Sequence, residues 1–275
     1  MKLATIRVAT GTCAVRVDDT DAVEIDASDV GALLAKADWR RIAEQADGAR
    51  HSIDALDYAP LVPRPDKIVC VGLNYRKHIM EMGHPIPEYP TLFAKYRAAL
   101  IGAHDPITLP AVSENTDWEG ELALIIGERV RNASEAAAER AIAGYAICND
   151  VSVRDYQNRT LQWLQGKSFE GTTPLGPWLV TPDESPGPSR ELTTLVDGAV
   201  MQQADTADLV FGPVALVQYI SQIITLEPGD VISTGTPAGV GTARTPPRFL
   251  AHGNRLVTRI TGLGEQINPC HQASL

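Results

Sequence analysis

Asp117-Trp118-Glu119-Gly120-Glu121-Leu122-Ala123-Leu124-Ile125-Ile126-Gly127 sets two acids two residues apart and leads them straight into an apolar run. Strand side chains alternate faces, so residues two apart share one. In a strand, Glu119 and Glu121 would therefore stand side by side. The apolar run does not alternate, which predicts a strand over Glu121–Gly127 buried on both faces. Two buried carboxylates repel unless a proton or a cation separates them. Hard oxygen ligands suit Mg²⁺, Mn²⁺ or Ca²⁺ better than zinc. The competing account is a wet strand edge carrying two solvated acids, and spacing alone leaves both open.

The flanking chain offers partners for this pair. Downstream, Tyr145–Val151 reads as a short strand, and Asn149-Asp150 lies near its end. Asp150 would make a third carboxylate, although Asn-Asp after a strand is equally a turn signal. Upstream, Ile68–Gly72 reads as a buried strand leading into Leu73-Asn74-Tyr75-Arg76-Lys77-His78-Ile79-Met80-Glu81. A helix beginning there puts His78 and Glu81 one turn apart. A carboxylate holding one imidazole nitrogen frees the other as a base, while an exposed polar helix face has the same spacing. In Gln165-Gly166-Lys167-Ser168-Phe169 the lysine reads locally as a solvated loop residue. Val231–Ser233 is a strand entering the glycine-rich Thr234-Gly235-Thr236-Pro237-Ala238-Gly239-Val240-Gly241. Amides in such a turn can receive a carboxylate. The turn lacks the Lys-Ser/Thr of a phosphate loop, which argues against nucleotide binding.

Two helices are expected, over Ala133–Ala143 with Ser134 as N-cap and over Gly212–Leu226 with Pro213 in the first turn. Leu256–Thr261 reads as the last strand. At the other end, Lys2–Val8 and Cys13–Val17 flank Gly11 as a hairpin, and short helical stretches follow near Val30–Ala35 and Trp39–Ala46. Pro60, Pro63 and Pro65 interrupt regular structure. They mark a boundary between a small N-terminal α/β module, residues 1–62, and a larger domain, residues 63–275. Many short strands with few helices make the chain a β-rich α+β protein.

Composition narrows the function. The 275 residues carry a formal charge of −10, which disfavours a nucleic-acid partner. An anionic substrate would then need local positive charge. No apolar run approaches the roughly 18 residues of a membrane span, and the first residues lack a signal-peptide layout, so a cytoplasmic protein with no membrane partner is expected. Cys13, Cys70, Cys148 and Cys270 form no Cys-x-x-Cys pair, so neither structural zinc nor a disulfide framework is expected.

Six blocks occur in a specific order: Gly-Leu-Asn-Tyr-x-x-His-x-x-Glu, Phe-x-Lys, Trp-Glu-Gly-Glu-Leu, Asn-Asp-Val-Ser-x-Arg-Asp-x-Gln, Gly-Lys-Ser-Phe and Pro-Gly-Asp-Val-Ile-x-Thr-Gly-Thr-Pro-Ala-Gly-Val-Gly. Over residues 65 to 270 they resemble the fumarylacetoacetate hydrolase family, in the branch of acylpyruvases, oxaloacetate decarboxylases and homoprotocatechuate-pathway isomerase/decarboxylases. The resemblance implies a mixed β-sandwich roll and a homodimer. It implies Glu119, Glu121 and Asp150 as ligands of Mg²⁺ or Mn²⁺, with Ca²⁺ as a substitute in crystals. His78 and Glu81 become a water-activating dyad, and Lys167 the support of an oxyanion. Lys95, Arg154, Gln157 and Thr236 become substrate-binding residues. The implied substrate is a small anionic 2-oxo acid, and the implied reaction is C–C hydrolysis of an acylpyruvate or fumarylpyruvate type. Decarboxylation of an oxaloacetate-like acid and isomerisation in aromatic catabolism are the alternatives, followed by a non-catalytic or biosynthetic member binding a larger ligand. Two departures stand out. Arg97 occupies a place where the family often has a small residue, and so bears on the pocket or faces solvent. The stretch Thr242–His252, with Arg244, Pro246, Pro247 and Arg248, reads as a mobile connection.

Overall fold

A computed structural model describes residues 1–81, 85–185 and 187–273, without the side chains of His78 and Glu81. The strand Gly120–Ile126 lies inside a long mixed sheet. Antiparallel neighbours Ile142–Asn149 and Val231–Ser233 flank it, and the parallel strand Ile68–Gly72 and then Thr91–Ala94 follow beyond the latter. On the other side the order runs through Thr173–Val180 to Lys2–Val8, Gly11–Val17, Asp21–Ile25 and Arg50–Ser52. The amino-terminal hairpin thus continues the same sheet.

Both faces of Gly120–Ile126 are covered. Ala123 and Ile125 pack with Leu33, Leu34, Trp39, Leu175 and Leu179. Leu122, Leu124 and Ile126 pack with Leu216, Val217 and Ile220 of the helix Pro213–Ile223 and with Ala138 and Ala141 of the helix Glu135–Ala141. Each fully buried leucine or isoleucine is worth about 1.5–3 kcal/mol. Register is therefore strongly set, since a one-residue slip would exchange the faces.

A second sheet, in the order Ala199–Asp205, Glu191–Val196, Arg255–Ile260, Gly264–Gln272, Ile107–Leu109, stacks on the first. Buried side chains bridge the layers. Asn149 Nδ2 donates to Thr258 Oγ1 at 2.9 Å, and Gln202 Oε1 accepts from Gly120 N at 3.0 Å. A two-stranded ladder, Thr116–Asp117 with Ser152–Val153, completes the architecture.

The expected helix at Ala133–Ala143 is the shorter Glu135–Ala141, with Ser134 Oγ accepting from Ala137 N. One expectation fails: the last strand is Gly264–Gln272, antiparallel to Arg255–Ile260 across the tight turn Thr261–Leu263. Its polar Glu265, Gln266, Asn268 and Gln272 hide the strand period. Thr242–His252 is likewise pinned, with Arg248 N donating to Gly241 O at 3.1 Å and Leu250 N to Thr116 O at 2.8 Å. No helix of the described residues is long and apolar enough to cross a membrane.

Candidate active site

The sheet brings the acids together by register. Gly120 lies opposite Asn149, so the residues just beyond, Glu119 and Asp150, meet where the strand pair ends. Asp150 N donates to Glu119 O at 2.8 Å and closes that corner. Glu121 is held from the next strand: Ser233 Oγ and Gly235 N donate to its Oε2 at 2.6 and 2.8 Å. Gly235 has φ 101°, and a Cβ there would lie 2.8 Å from Val71 O. The glycine-rich turn does receive a carboxylate on an amide, but it is the chain's own Glu121. One oxygen from each of Glu119, Glu121 and Asp150 lies within 4.8 Å of the others, and all three residues are buried.

Three cations converge on this cluster. Lys167 Nζ lies 2.7 Å from Glu119 Oε2 and 2.8 Å from Asp150 Oδ2. It sits on the short helix Leu164–Lys167 and is fully buried, so it is no solvated loop lysine. Lys95 Nζ stands 2.8 Å from Asp150 Oδ1, off the direction of a hydrogen bond, and donates to Thr173 Oγ1 at 2.7 Å. Arg154 places Nη1 2.6 Å from Glu119 Oε1 and 2.9 Å from Gln157 Oε1, and its Nε donates to Asp117 Oδ2 at 2.8 Å. Arg154 Nη2 is buried without a partner among the described residues.

Glu121 differs from the other two acids. Among the described residues no basic side chain forms an ion pair with it. Burial raises its carboxyl well above the ordinary range, and the negative Asp150 and Glu119 raise it further. Burial would raise Asp150 too, but Lys167 and Lys95 pull it below its usual value. Lys167 and Arg154 are shifted up, because their acidic neighbours outweigh burial. Three converging carboxylate oxygens, one of them lacking a cation, fit a hard divalent ion such as Mg²⁺ or Mn²⁺. With its carboxyl raised in this way, Glu121 would release a proton on binding a cation. Affinity should rise with pH up to the raised Glu121 value, with proton release on binding. Calorimetry in buffers of differing ionisation enthalpy checks this, and a pH-independent affinity would contradict it.

A cavity of about 250 Å³ opens beside the cluster. Its lining includes Glu119, Glu121, Arg154, Gln157, Lys167 and Thr236, together with Val71, Leu73, Phe93, Trp163 and Val240. Phe93 and Trp163 meet edge to face at 5.3 Å, and Lys167 Nζ lies 5.1 Å from the Phe93 ring centre. Gly72 makes room for Trp163, since a Cβ there would fall 2.5 Å from the indole. Leu73 has a left-handed backbone, φ 54°, which costs a side-chain-bearing residue about 1–2 kcal/mol. Next to it, buried Asn74 bonds Thr234 O at 2.8 Å and both the N and the O of Phe211.

The residues expected to bind substrate divide into two groups. Arg154 and Gln157 line the cavity. Thr236 also lines it, but its hydroxyl donates to Gly120 O at 3.0 Å and accepts from Gln202 Nε2 at 2.7 Å, so its one proton is committed. Lys95 stays outside the lining and holds Asp150 instead. Arg97 lies with Arg64 and Tyr96 in a separate depression. The side chains of His78 and Glu81 lie outside the described residues, and only their helix, Arg76–Glu81, is seen. Sequence reasoning missed Asp117, Ser233 and Gln202. Asp117 stood in the opening stretch, whereas Gln202 sits in an ordinary edge strand and gave no signal.

Residues 67–270 match the fumarylacetoacetate (FAA) hydrolase C-terminal family. The chain belongs to this family. Among the family's curated members, a mitochondrial oxaloacetate tautomerase of Bos taurus is 44% identical over 210 residues, 75% of this chain and 67% of its own. One from Xenopus laevis is 40% identical over 228 residues, 81% and 72% of the two chains. Among solved structures, the fumarylacetoacetate hydrolase of Exiguobacterium antarcticum superposes with a TM-score of 0.90 at 30% identity, over 99% of this chain and all of that one. The 5-carboxymethyl-2-hydroxymuconate delta-isomerase of Mycobacterium smegmatis gives 0.82 at 34% identity over the whole of both. The β-rich mixed-sheet fold agrees with these neighbours, and the comparisons support an enzyme that processes a 2-oxo acid.

Proposed function

We propose that the chain is a divalent-cation-dependent enzyme that moves a proton between keto and enol forms of a small anionic 2-oxo acid. The observation that carries this reading is the buried Glu119–Glu121–Asp150 cluster opening onto a small cavity, with Arg154 Nη2 beside it unpartnered among the described residues. The two tautomerases, which share the highest sequence identity of the relatives named above, and the isomerase favour proton transfer, while the Exiguobacterium antarcticum hydrolase keeps bond cleavage as the second reading. A cation bound there would polarise the 2-oxo carbonyl and offset charge developing on its oxygen. Arg154 and Gln157 would orient the carboxylate, Lys167 would supply a fixed positive charge beside the reacting carbonyl, and the Phe93–Trp163 wall would exclude water. His78, with Glu81 as its partner, is the proton carrier that the family resemblance implies.

A second reading is C–C hydrolysis of an acylpyruvate, favoured by the Gly-Leu-Asn-Tyr-x-x-His-x-x-Glu block, in which the same pair would activate water. Decarboxylation of an oxaloacetate-like acid would use the same centre. A homodimer in the cytoplasm, with residues 1–62 as a small N-terminal domain packed on the larger one, completes the proposal. Enol-oxaloacetate decay and acetylpyruvate cleavage, followed side by side by ultraviolet absorbance, separate the readings. Tautomerisation should dominate, stop in EDTA and return with Mg²⁺ or Mn²⁺. Undiminished turnover after chelation would remove the cation from the reading, and cleavage without tautomerisation would favour the second.

A further inference from the structure

Asp117 is fully buried and collects four N–H donors, from its neighbour Trp118, from Arg154 and from the Gly241–Thr242 turn. Its Oδ1 accepts from Trp118 N at 2.8 Å and Gly241 N at 2.6 Å. Its Oδ2 accepts from Arg154 Nε at 2.8 Å and Thr242 N at 3.0 Å. The backbone is shaped for this meeting. Thr116–Asp117 pairs with Ser152–Val153, which sets Arg154 one residue past the ladder, and Arg154 N donates to Asn115 O at 2.9 Å. Gly241 can approach only because it lacks a side chain: a Cβ would lie 2.7 Å from Asp117 Oδ1 and 1.8 Å from Arg248 O.

The consequence falls on the cavity. Thr242 and Ala243 form part of its wall, and Arg154 another part. A guanidinium presents its donors in a rigid fork. With Nε on Asp117 and Nη1 on Glu119 and Gln157, only Nη2 remains without a partner among the described residues. Without the Asp117 carboxylate, Arg154 would be a buried cation leaning on Glu119 alone, free to turn a second nitrogen onto it. We propose that Asp117 is a positioning residue, one that fastens Arg154 and the Gly241–Thr242 wall into a single unit and so reserves Arg154 Nη2 for the substrate carboxylate. This rests on the reading of the site as one for a small 2-oxo acid.

The test titrates oxalate, as a dianionic probe, into the Mg²⁺-loaded full chain by calorimetry. Four proteins are compared: wild type, Asp117→Asn, Arg154→Gln and the double variant. Asp117→Asn should weaken oxalate about tenfold or more, the size of one charge-assisted hydrogen bond. In the Arg154→Gln background it should cost much less, because most of its effect runs through Arg154 and only the hold on the wall remains. General loosening of the fold would instead weaken oxalate by the same factor in both backgrounds, and that result would overturn the proposal. Should Asp117→Asn fail to fold, Asp117→Glu keeps the charge and displaces the carboxylate. It should show the same loss, and wild-type oxalate affinity in that variant would overturn the positioning role. A wild type that binds Mg²⁺ but no oxalate would overturn the 2-oxo acid reading, and this proposal with it. Equal affinity of wild type and Asp117→Asn would overturn the positioning role alone.

Discussion

Glu121→Gln should abolish divalent-cation binding while leaving the cation-free chain at least as stable as the wild type. Of the three clustered acids, Glu121 is the one without an ion-pair partner among the described residues, and its carboxyl is raised by burial and by its acidic neighbours. The sign follows from linkage. A carboxyl raised in the folded state holds a proton that the unfolded chain has released, so stability falls as pH climbs from the ordinary carboxylate value through the raised one. Glutamine has the shape of protonated glutamate and can keep the bonds from Ser233 and Gly235, so it removes that penalty. It also removes one of three charged ligands. If the cation supplies several kcal/mol to the reaction, activity should fall about a thousandfold or more. Calorimetric titration with Mn²⁺ and melting curves in EDTA at several pH values check both halves. Retained Mn²⁺ binding, or a cation-free variant that melts well below wild type, would refute the account of Glu121.

Lys167→Met should behave in the opposite way. Its ammonium is shared between Glu119 and Asp150, both buried. Removing one partner from a buried ion pair leaves uncompensated charge, at a cost of about 3–5 kcal/mol. For a chain of this size that lowers the melting temperature by roughly 10 °C. Mg²⁺ should restore part of the loss, because a dication among the carboxylates replaces the missing charge and binding to the folded state stabilises it. Turnover should remain low even then, since an ion cannot stand where the lysine nitrogen does. Melting curves with and without Mg²⁺ distinguish the cases. An unchanged melting temperature would mean that the lysine contributes no net stability to the cluster.

The two variants show what could be read from residues in order and what could not. The apolar run after Glu121 announced a strand buried on both faces, because hydrophobic periodicity is local. That strand in turn made the paired acids informative. Asp150 looked like an ordinary turn residue until the ladder opposite Gly120 brought it to Glu119, since pairing register is a long-range property. Lys167 read as a solvated loop lysine for the same reason: its partners lie 48 and 17 residues away. The ordered blocks named the ligand set through resemblance, but not how the cations are shared. Lys95 holds Asp150 and not the cavity, and the hydroxyl proton of Thr236 is committed to Gly120. Gln202 was invisible because its role depends on two sheets stacking. The last strand was missed because its buried polar residues bridge layers, as Gln266 does to Ile147 O, and so mimic a surface segment.

The sheet that carries the acids also runs unbroken into the amino-terminal hairpin, and Leu33, Leu34 and Trp39 cover the face formed by Ala123, Ile125, Leu175 and Leu179. A fragment trimmed to the family-matched residues would leave that face naked to water. Bare apolar surface of this kind drives self-association. The residues before the family match therefore serve as a solubilising cover for the layer that carries the acids, and engineering that shortens the protein must replace them.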